Sequence, residues 1–179
     1  MKFQNLHQNA LFDEHKKTLM TIIHLHTLIK APVERCFDLS RSIDLHQSSM
    51  HQSNERAVAG RKAGLIEQGE TVTWEATHFF VRQQLSSVIS EMKRPYHFID
   101  EMEKGAFKSL WHKHFFQSRG DDHTLMIDEF RYEVPYGMWG RLFNRLILKN
   151  YMIALLKSRN EHIRHVAESP GGWQKFLIQ

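Results

Sequence analysis

Residues 137–167 constrain the fold most, because they read as one long helix that needs a surface to lie against. From Trp139 onward the apolar residues Leu142, Phe143, Leu146, Ile147, Ile153, Leu156 and Ile163 recur at helical spacing, over roughly eight turns of about 3.6 residues each. Its other positions carry Arg141, Arg145, Lys149, Lys157, Arg159 and Arg164, which leaves one side fit for water and a broad apolar side that must be covered. Pro135 and Gly137 set its start. Ser169, Pro170 and the Gly171-Gly172 pair set its end, since neither proline nor paired glycines continue a helix cheaply. Residues 168–179 are expected to be a ragged tail.

The covering surface is legible upstream. Residues 20–30 alternate, with Ile23, Leu25, Thr27 and Ile29 on one face and His24 and His26 on the other, as a first strand. Ala31-Pro32 breaks it, and Val33, Cys36, Phe37 and Leu39 then repeat at helical intervals behind a proline suited to a helix start. A second short helix fits residues 43–49. A short strand at 55–60 and a turn-rich stretch at 64–69 lead into residues 70–80, the cleanest strand. There Val72, Trp74, Ala76 and His78 face one way and Thr71, Thr73, Glu75 and Thr77 the other. Strands at 84–92 and 96–102 follow, parted by Lys93, Arg94 and Pro95. Residues 107–117 and 124–134 form a last pair joined near Gly120 and Asp121. Six or seven antiparallel strands therefore precede the helix. A sheet this wide must curl, and a helix about 45 Å long covers only part of its concave face, so a hollow is expected between them.

Composition narrows the class. The chain of 179 residues fits one domain, taken as residues 20–167. Residues 1–19 are read as an N-terminal arm, disordered or a short helix with Phe3, Leu6, Ala10 and Leu11 on a weak stripe, and Met20 serves equally well as the start. No stretch has the roughly twenty apolar residues of a membrane span, and no secretion signal opens the chain, so a cytoplasmic location is expected. The lone Cys36 is read as a small buried apolar residue. A formal charge of +4 is modest, with Lys and Arg gathered on the last helix, and no nucleic-acid partner is expected.

The order of strand, two short helices, antiparallel strands and long C-terminal helix resembles the helix-grip fold of the START-like, or SRPBCC, superfamily. Local words carry the same likeness. IKAPVERCFD at 29–38 resembles its strand-then-proline entry; GLIEQGETVTWEATHF at 64–79, RPYHFIDEMEKGAFKSLWHKHFF at 94–116 and TLMIDEFRYEVPYG at 124–137 resemble bacterial members labelled polyketide cyclase-like or coenzyme Q-binding-like. The resemblance implies an α+β fold, a curved antiparallel sheet around a long C-terminal helix. It implies an apolar or amphipathic guest, such as a lipid, quinone or polyketide, between sheet and helix. Fold alone does not fix the activity.

The expected lining is Trp74, Ala76 and His78, then Phe98, then Met126, Phe130 and Tyr132, residues that an ordinary core would also use. Asp128 shares the face of Met126 and Phe130, and Asp100 that of Phe98; a buried carboxylate needs partners. His112 and His114 share one face of their strand. A two- or four-residue loop at Gly120 turns Trp111 and Phe115 inward, and a three-residue loop places both histidines with Asp128. The apolar count favours Trp111 inside; the resemblance favours the histidines, and the expectation follows the resemblance. His78, His112, His114 and Asp128 then form an internal polar cluster, with His112 and Asp128 as the acid-base pair if the chain is an enzyme.

Two histidines and a carboxylate are also metal ligands, but alternate strand histidines are more often only hydrogen-bonded and no zinc spacing is present, so no metal is expected. With no phosphate loop, dinucleotide fingerprint or nucleophile elbow, no cofactor is expected either. His46 and His51 fit a cavity entrance or a polar surface loop equally well. The basic side of the last helix suits transient contact with a membrane surface, although a solvated face explains it more simply. The preferred function is binding or transport of a hydrophobic small molecule; the alternatives are a cyclase- or hydratase-type enzyme and an accessory module with an unknown protein partner.

Overall fold

The alternation at residues 20–30 is realised in β1 (Thr21–Ile29), where Ile23, Thr27 and Ile29 are buried and His24 and His26 are exposed. The computed structural model describes residues 20–50, 53–120 and 122–177; the expectations for the arm at 1–19, for His51 and for Asp121 lie outside them. α1 (Val33–Ser40) and α2 (Ile43–Ser49) follow β1, the second opened by Ser42, whose side chain accepts a hydrogen bond from the Leu45 amide. Then come β2 (Arg56–Gly60), β3 (Thr71–His78), β4 (Val81–Lys93), β5 (His97–Lys104), β6 (Ser109–Ser118) and β7 (Thr124–Glu133). The C-terminal helix runs without a break through α3 (Gly137–Phe143), a π-helical segment (Asn144–Leu148) and α4 (Lys149–Glu168).

The seven strands form one antiparallel sheet in the order β1-β7-β6-β5-β4-β3-β2. Register shifts between β2 and β3 near Ala57 and between β4 and β5 near Ser87 and Ile89 bend the strands and deepen the curl. β1 and β2 occupy opposite edges, and α1 and α2 bridge them. Phe37 of α1 reaches the sheet edge-on to Phe98 and Phe116, with ring centroids 5.6 and 5.4 Å apart. One apolar cluster gathers α1, α2 and the end of α4 on the sheet; a second gathers Ile23, Leu110, Phe130, Tyr132 and Leu156.

The expected strand at 70–80 stops at His78, because Phe79 and Phe80 form a two-residue turn between the paired residues His78 and Val81. Both have positive φ, 51° and 64°, a conformation that such turns usually give to Asn or Gly. Phe80 packs on nothing, with 102% exposure. Phe80→Gly is therefore expected to stabilise the fold by about 1 kcal/mol through relief of left-handed strain. Urea unfolding would measure it, and a loss of stability would show that the Phe80 ring contributes to the folded state.

Two expectations for the C-terminal region are corrected. Trp139, Leu142, Phe143, Leu146 and Ile147, expected on the covered side of the helix, are exposed, while Arg159, assigned to the solvated side, is buried. The helix rests on β1, α1 and α2 mainly through α4, and Leu156, Arg159, Asn160, Ile163 and Ala167 make its inner stripe. The expected ragged tail instead folds back. Trp173, Phe176 and Leu177 pack against the core, Arg35 lies 4.4 Å from the Trp173 ring centroid, and Ser42 Oγ donates to the Phe176 carbonyl at 3.2 Å. Cys36 is buried and its thiol is pushed up to about 11 by burial, so it acts as an apolar residue.

Candidate functional site

Between the concave sheet and the helix lies a cavity of about 350 Å³. The sheet contributes Val72, Trp74, Leu85, Ile89, Phe98, Leu110 and Phe130, and the helix contributes Leu148, Tyr151, Met152, Leu155, Leu156 and Arg159. Of the residues expected to line it, Trp74, His78, Phe98, His112, His114 and Phe130 border the open space. Ala76 borders a smaller hollow beside Trp74 and His78. Met126, Asp128 and Tyr132 stand behind the wall, fully buried. Tyr132 donates its hydroxyl to Asn144 Oδ1 at 2.6 Å, and Asn144 Nδ2 donates to Thr21 Oγ1 at 2.7 Å, which pins the π-helical segment to β1 and β7.

The hairpin register decides the chemistry. His114 pairs with Asp128 and His112 with Phe130, and the Arg119 amide donates to the His123 carbonyl at 2.8 Å across three intervening positions of the chain. Both histidines therefore turn inward. Trp111 lies on the outer face, where the Arg131 guanidinium covers it at 4.8 Å.

His112 Nε2 donates to Asp128 Oδ1 at 2.9 Å, and Asn160 Nδ2 donates to Oδ2 at 2.7 Å. His114 Nδ1 is also 2.9 Å from Oδ1 but is not aligned as a hydrogen bond, so this contact is mainly electrostatic. Burial by itself would raise the Asp128 pKa; the imidazole groups of His112 and His114 outweigh it and hold the carboxyl well below its ordinary range. Burial, reinforced by the charges of His112 and Arg159, pushes His114 well below 6.5. Arg159 donates through Nη2 to the Ser40 carbonyl at 3.0 Å, while Nη1 lies 3.8 Å from Asp128 Oδ1 and has no hydrogen-bond partner. Asp100, also on the lining, is raised by burial and Oδ1 lacks a partner. The inner end of the cavity thus combines an ionised carboxylate, neutral imidazole, a guanidinium donor and a carboxyl biased toward its protonated form.

A second polar shelf faces the β2–β3 side. His46 stacks on Trp74 with centroids 4.2 Å apart and bonds Glu55 Oε1 through Nε2 at 2.8 Å. His78 Nδ1 bonds the Tyr151 hydroxyl at 2.7 Å. Burial pulls the His78 pKa down; for Glu55 burial acts upward, but the charge and hydrogen bond of His46 prevail and lower it. Arg159, Asn160, Glu55 and Tyr151 were not among the expected site residues. Helical spacing carried the signal for Arg159, which lies three residues after Leu156 and four before Ile163 on the buried stripe.

His112, His114 and Asp128 offer three possible ligand atoms within 4.8 Å of one another. Asp128 already accepts from His112 and Asn160, and a cation there would have to share the site with the Arg159 guanidinium 3.8 Å from Oδ1. The surroundings therefore fit a hydrogen-bonded cluster better than a metal centre.

No family model matches the sequence, and no curated protein is significantly similar to it. Solved structures do match the fold. TTHA0849 from Thermus thermophilus superposes with a TM-score of 0.65 at 19% identity, covering 83% of this chain and 100% of that one. A START superfamily protein from Mycobacterium smegmatis gives 0.61 at 10% identity, covering 80% and 97%. Norcoclaurine synthase from Thalictrum flavum, in complex with dopamine and hydroxybenzaldehyde, gives 0.58 at 10% identity, covering 84% and 90%. With the curled seven-stranded sheet, the paired short helices and the terminal helix, these likenesses establish that the chain has the helix-grip fold of the START-like, or SRPBCC, superfamily.

Proposed function

We propose that the chain binds a hydrophobic small molecule with a polar end, held without covalent change between sheet and helix. The observation that carries this reading is the cavity of about 350 Å³, mostly apolar, with Arg159 Nη1 unpartnered at its inner end. Its volume lies in the range of small-ligand sites, about 300–1,000 Å³. Apolar burial of about 25 cal/mol per Å² would supply most of the affinity, and Arg159 would orient an acceptor oxygen, with Asp100 as a second donor whenever its carboxyl, raised by burial, carries a proton. Lipid, quinone and polyketide-like guests all satisfy that description.

Leu155→Trp tests the reading by placing a larger ring in the lining. Binding of a lipophilic fluorescent probe is expected to fall at least about tenfold, corresponding to about 1.4 kcal/mol, with the fold retained by circular dichroism. Native mass spectrometry of gently purified wild-type protein should carry added mass that the variant lacks. Empty wild-type protein, and probe binding unchanged by Leu155→Trp, would together defeat the proposal.

A second reading, proton transfer on the bound guest, draws on the aligned His112–Asp128 pair. In its neutral form, with Nε2–H donating to Asp128, His112 would present Nδ1 as a base. His112→Phe separates the readings. A carrier keeps most of its probe affinity and shows no turnover with any guest, whereas an enzyme keeps binding and loses turnover.

A further inference from the structure

The helix and the β3–β4 turn leave a continuous apolar rim in water at the cavity mouth. Phe79, Tyr136 and Phe143 border the cavity, and the Phe79 ring packs against Phe143 and Tyr151 with centroids 5.5 and 4.6 Å apart. Around them Phe80, Met138, Trp139 and Leu146 stand exposed, Trp139 at 73% and Leu146 at 64%. Contiguous apolar surface of this kind marks a docking face. Positive φ at Phe79 and Phe80 places two phenylalanines where a turn would ordinarily use Asn or Gly, so the turn keeps its aromatic tip at the expense of backbone strain.

Charge identifies the occupant. No acidic residue lies between Glu133 and Glu161, whereas Arg141, Arg145 and Lys149 are exposed beside the apolar rim. A two-fold contact with a second copy would bring these like charges together. Exposed apolar side chains, an interfacial Trp and Tyr, and unopposed Lys and Arg on one helix match a surface that lies on lipid. Among the described residues no helix is long and apolar enough to cross a membrane, so the contact is made at the interface.

We propose that this rim docks on a bilayer with anionic headgroups, with Phe80, Met138, Trp139 and Leu146 entering the headgroup boundary while Arg141, Arg145 and Lys149 meet the phosphates. The cavity mouth then opens onto the membrane, where an apolar guest resides. Docking itself requires no guest in the cavity, so it can be tested apart from ligand binding.

The test is co-sedimentation of the full chain with phosphatidylcholine vesicles, with and without phosphatidylglycerol. Binding is expected to require the anionic lipid and to weaken as salt rises. Arg141→Glu/Arg145→Glu/Lys149→Glu should weaken it roughly a hundredfold or more, and Leu146→Glu should abolish it without changing the melting temperature in the absence of lipid. Tryptophan emission should shift to the blue on binding, and Trp139→Phe should remove most of that shift. Failure of the wild type to bind anionic vesicles, or equal binding by the charge-reversed variant, would overturn the proposal. So would a lower lipid-free melting temperature in Leu146→Glu, which would show the face already covered by a second copy or by the first nineteen residues. Failure of lipophilic-probe binding in the cavity would leave vesicle docking intact and count only against the proposed ligand binding.

Discussion

Asp128→Ala should destabilise the chain by about 3–5 kcal/mol, the usual effect of removing one member of a buried charge pair. The carboxylate is fully buried, accepts from His112 and Asn160, and faces the 5%-exposed Arg159. Its removal takes from the guanidinium its strongest counter-charge, leaving only the weaker influence of Asp100 and Glu55, and orphans two donors. Against a total stability of about 5–15 kcal/mol for a domain of this kind, the loss should be plain in urea denaturation at neutral pH. Asp128→Ala in an Arg159→Met background should lose much less, because the stranded charge has gone too. A single-variant loss below about 1 kcal/mol, or equal losses in both backgrounds, would show that Asp128 and Arg159 are not the coupled pair their positions indicate.

Much of this arrangement was legible in the sequence, and the gaps have physical causes. β1 and β3 alternate cleanly because each buries one face, so a period of two survives along the chain. The inward turn of His112 and His114 could not be settled from β6 alone, since Trp111 and Phe115 gave the opposite face the better apolar count. A single backbone bond between Arg119 and His123 joins residues with an odd number of positions between them, which sets the side-chain parity. The apolar count misled because Arg131 covers Trp111 on the outside, a contact between neighbouring strands that composition cannot reveal.

The C-terminal helix shows a different limit. Periodicity identified it but treated its apolar residues as one buried stripe. They serve two surfaces instead, Leu156 and Ile163 in the core and Trp139 and Leu146 in water. Arg159 was assigned to solvent by residue type although its spacing placed it on the inner stripe, between Leu156 and Ile163. The exposed rim and the buried guanidinium, the two features that most shape the functional reading, are therefore the two places where apolar-in and charged-out fails.

The second large effect is on acid stability, and it is carried by His114. Its folded-state pKa lies well below the ordinary 6.5 because of burial and then the nearby charges of His112 and Arg159. As pH falls below about 6.5, the unfolded chain takes up a proton that folded His114 refuses. Folding stability should then decline by up to about 1.4 kcal/mol per pH unit for this one group, until the folded pKa is reached. Asp100 acts in the opposite sense. Its raised pKa keeps the folded carboxyl protonated while the unfolded one ionises, so its destabilising effect grows as pH rises from about 3.8 toward the folded value. Asp128, depressed below 3.8, supplies stability that is lost as pH falls from about 3.8 toward its still lower folded pKa. Wild type and His114→Asn, which keeps an amide donor near Asp128, should therefore diverge between about pH 6.5 and 5, the variant losing stability less steeply. Urea midpoints across that interval measure the divergence. Parallel curves would mean that folded His114 accepts the proton, with Asp128 near enough to outweigh burial and both neighbouring positive charges.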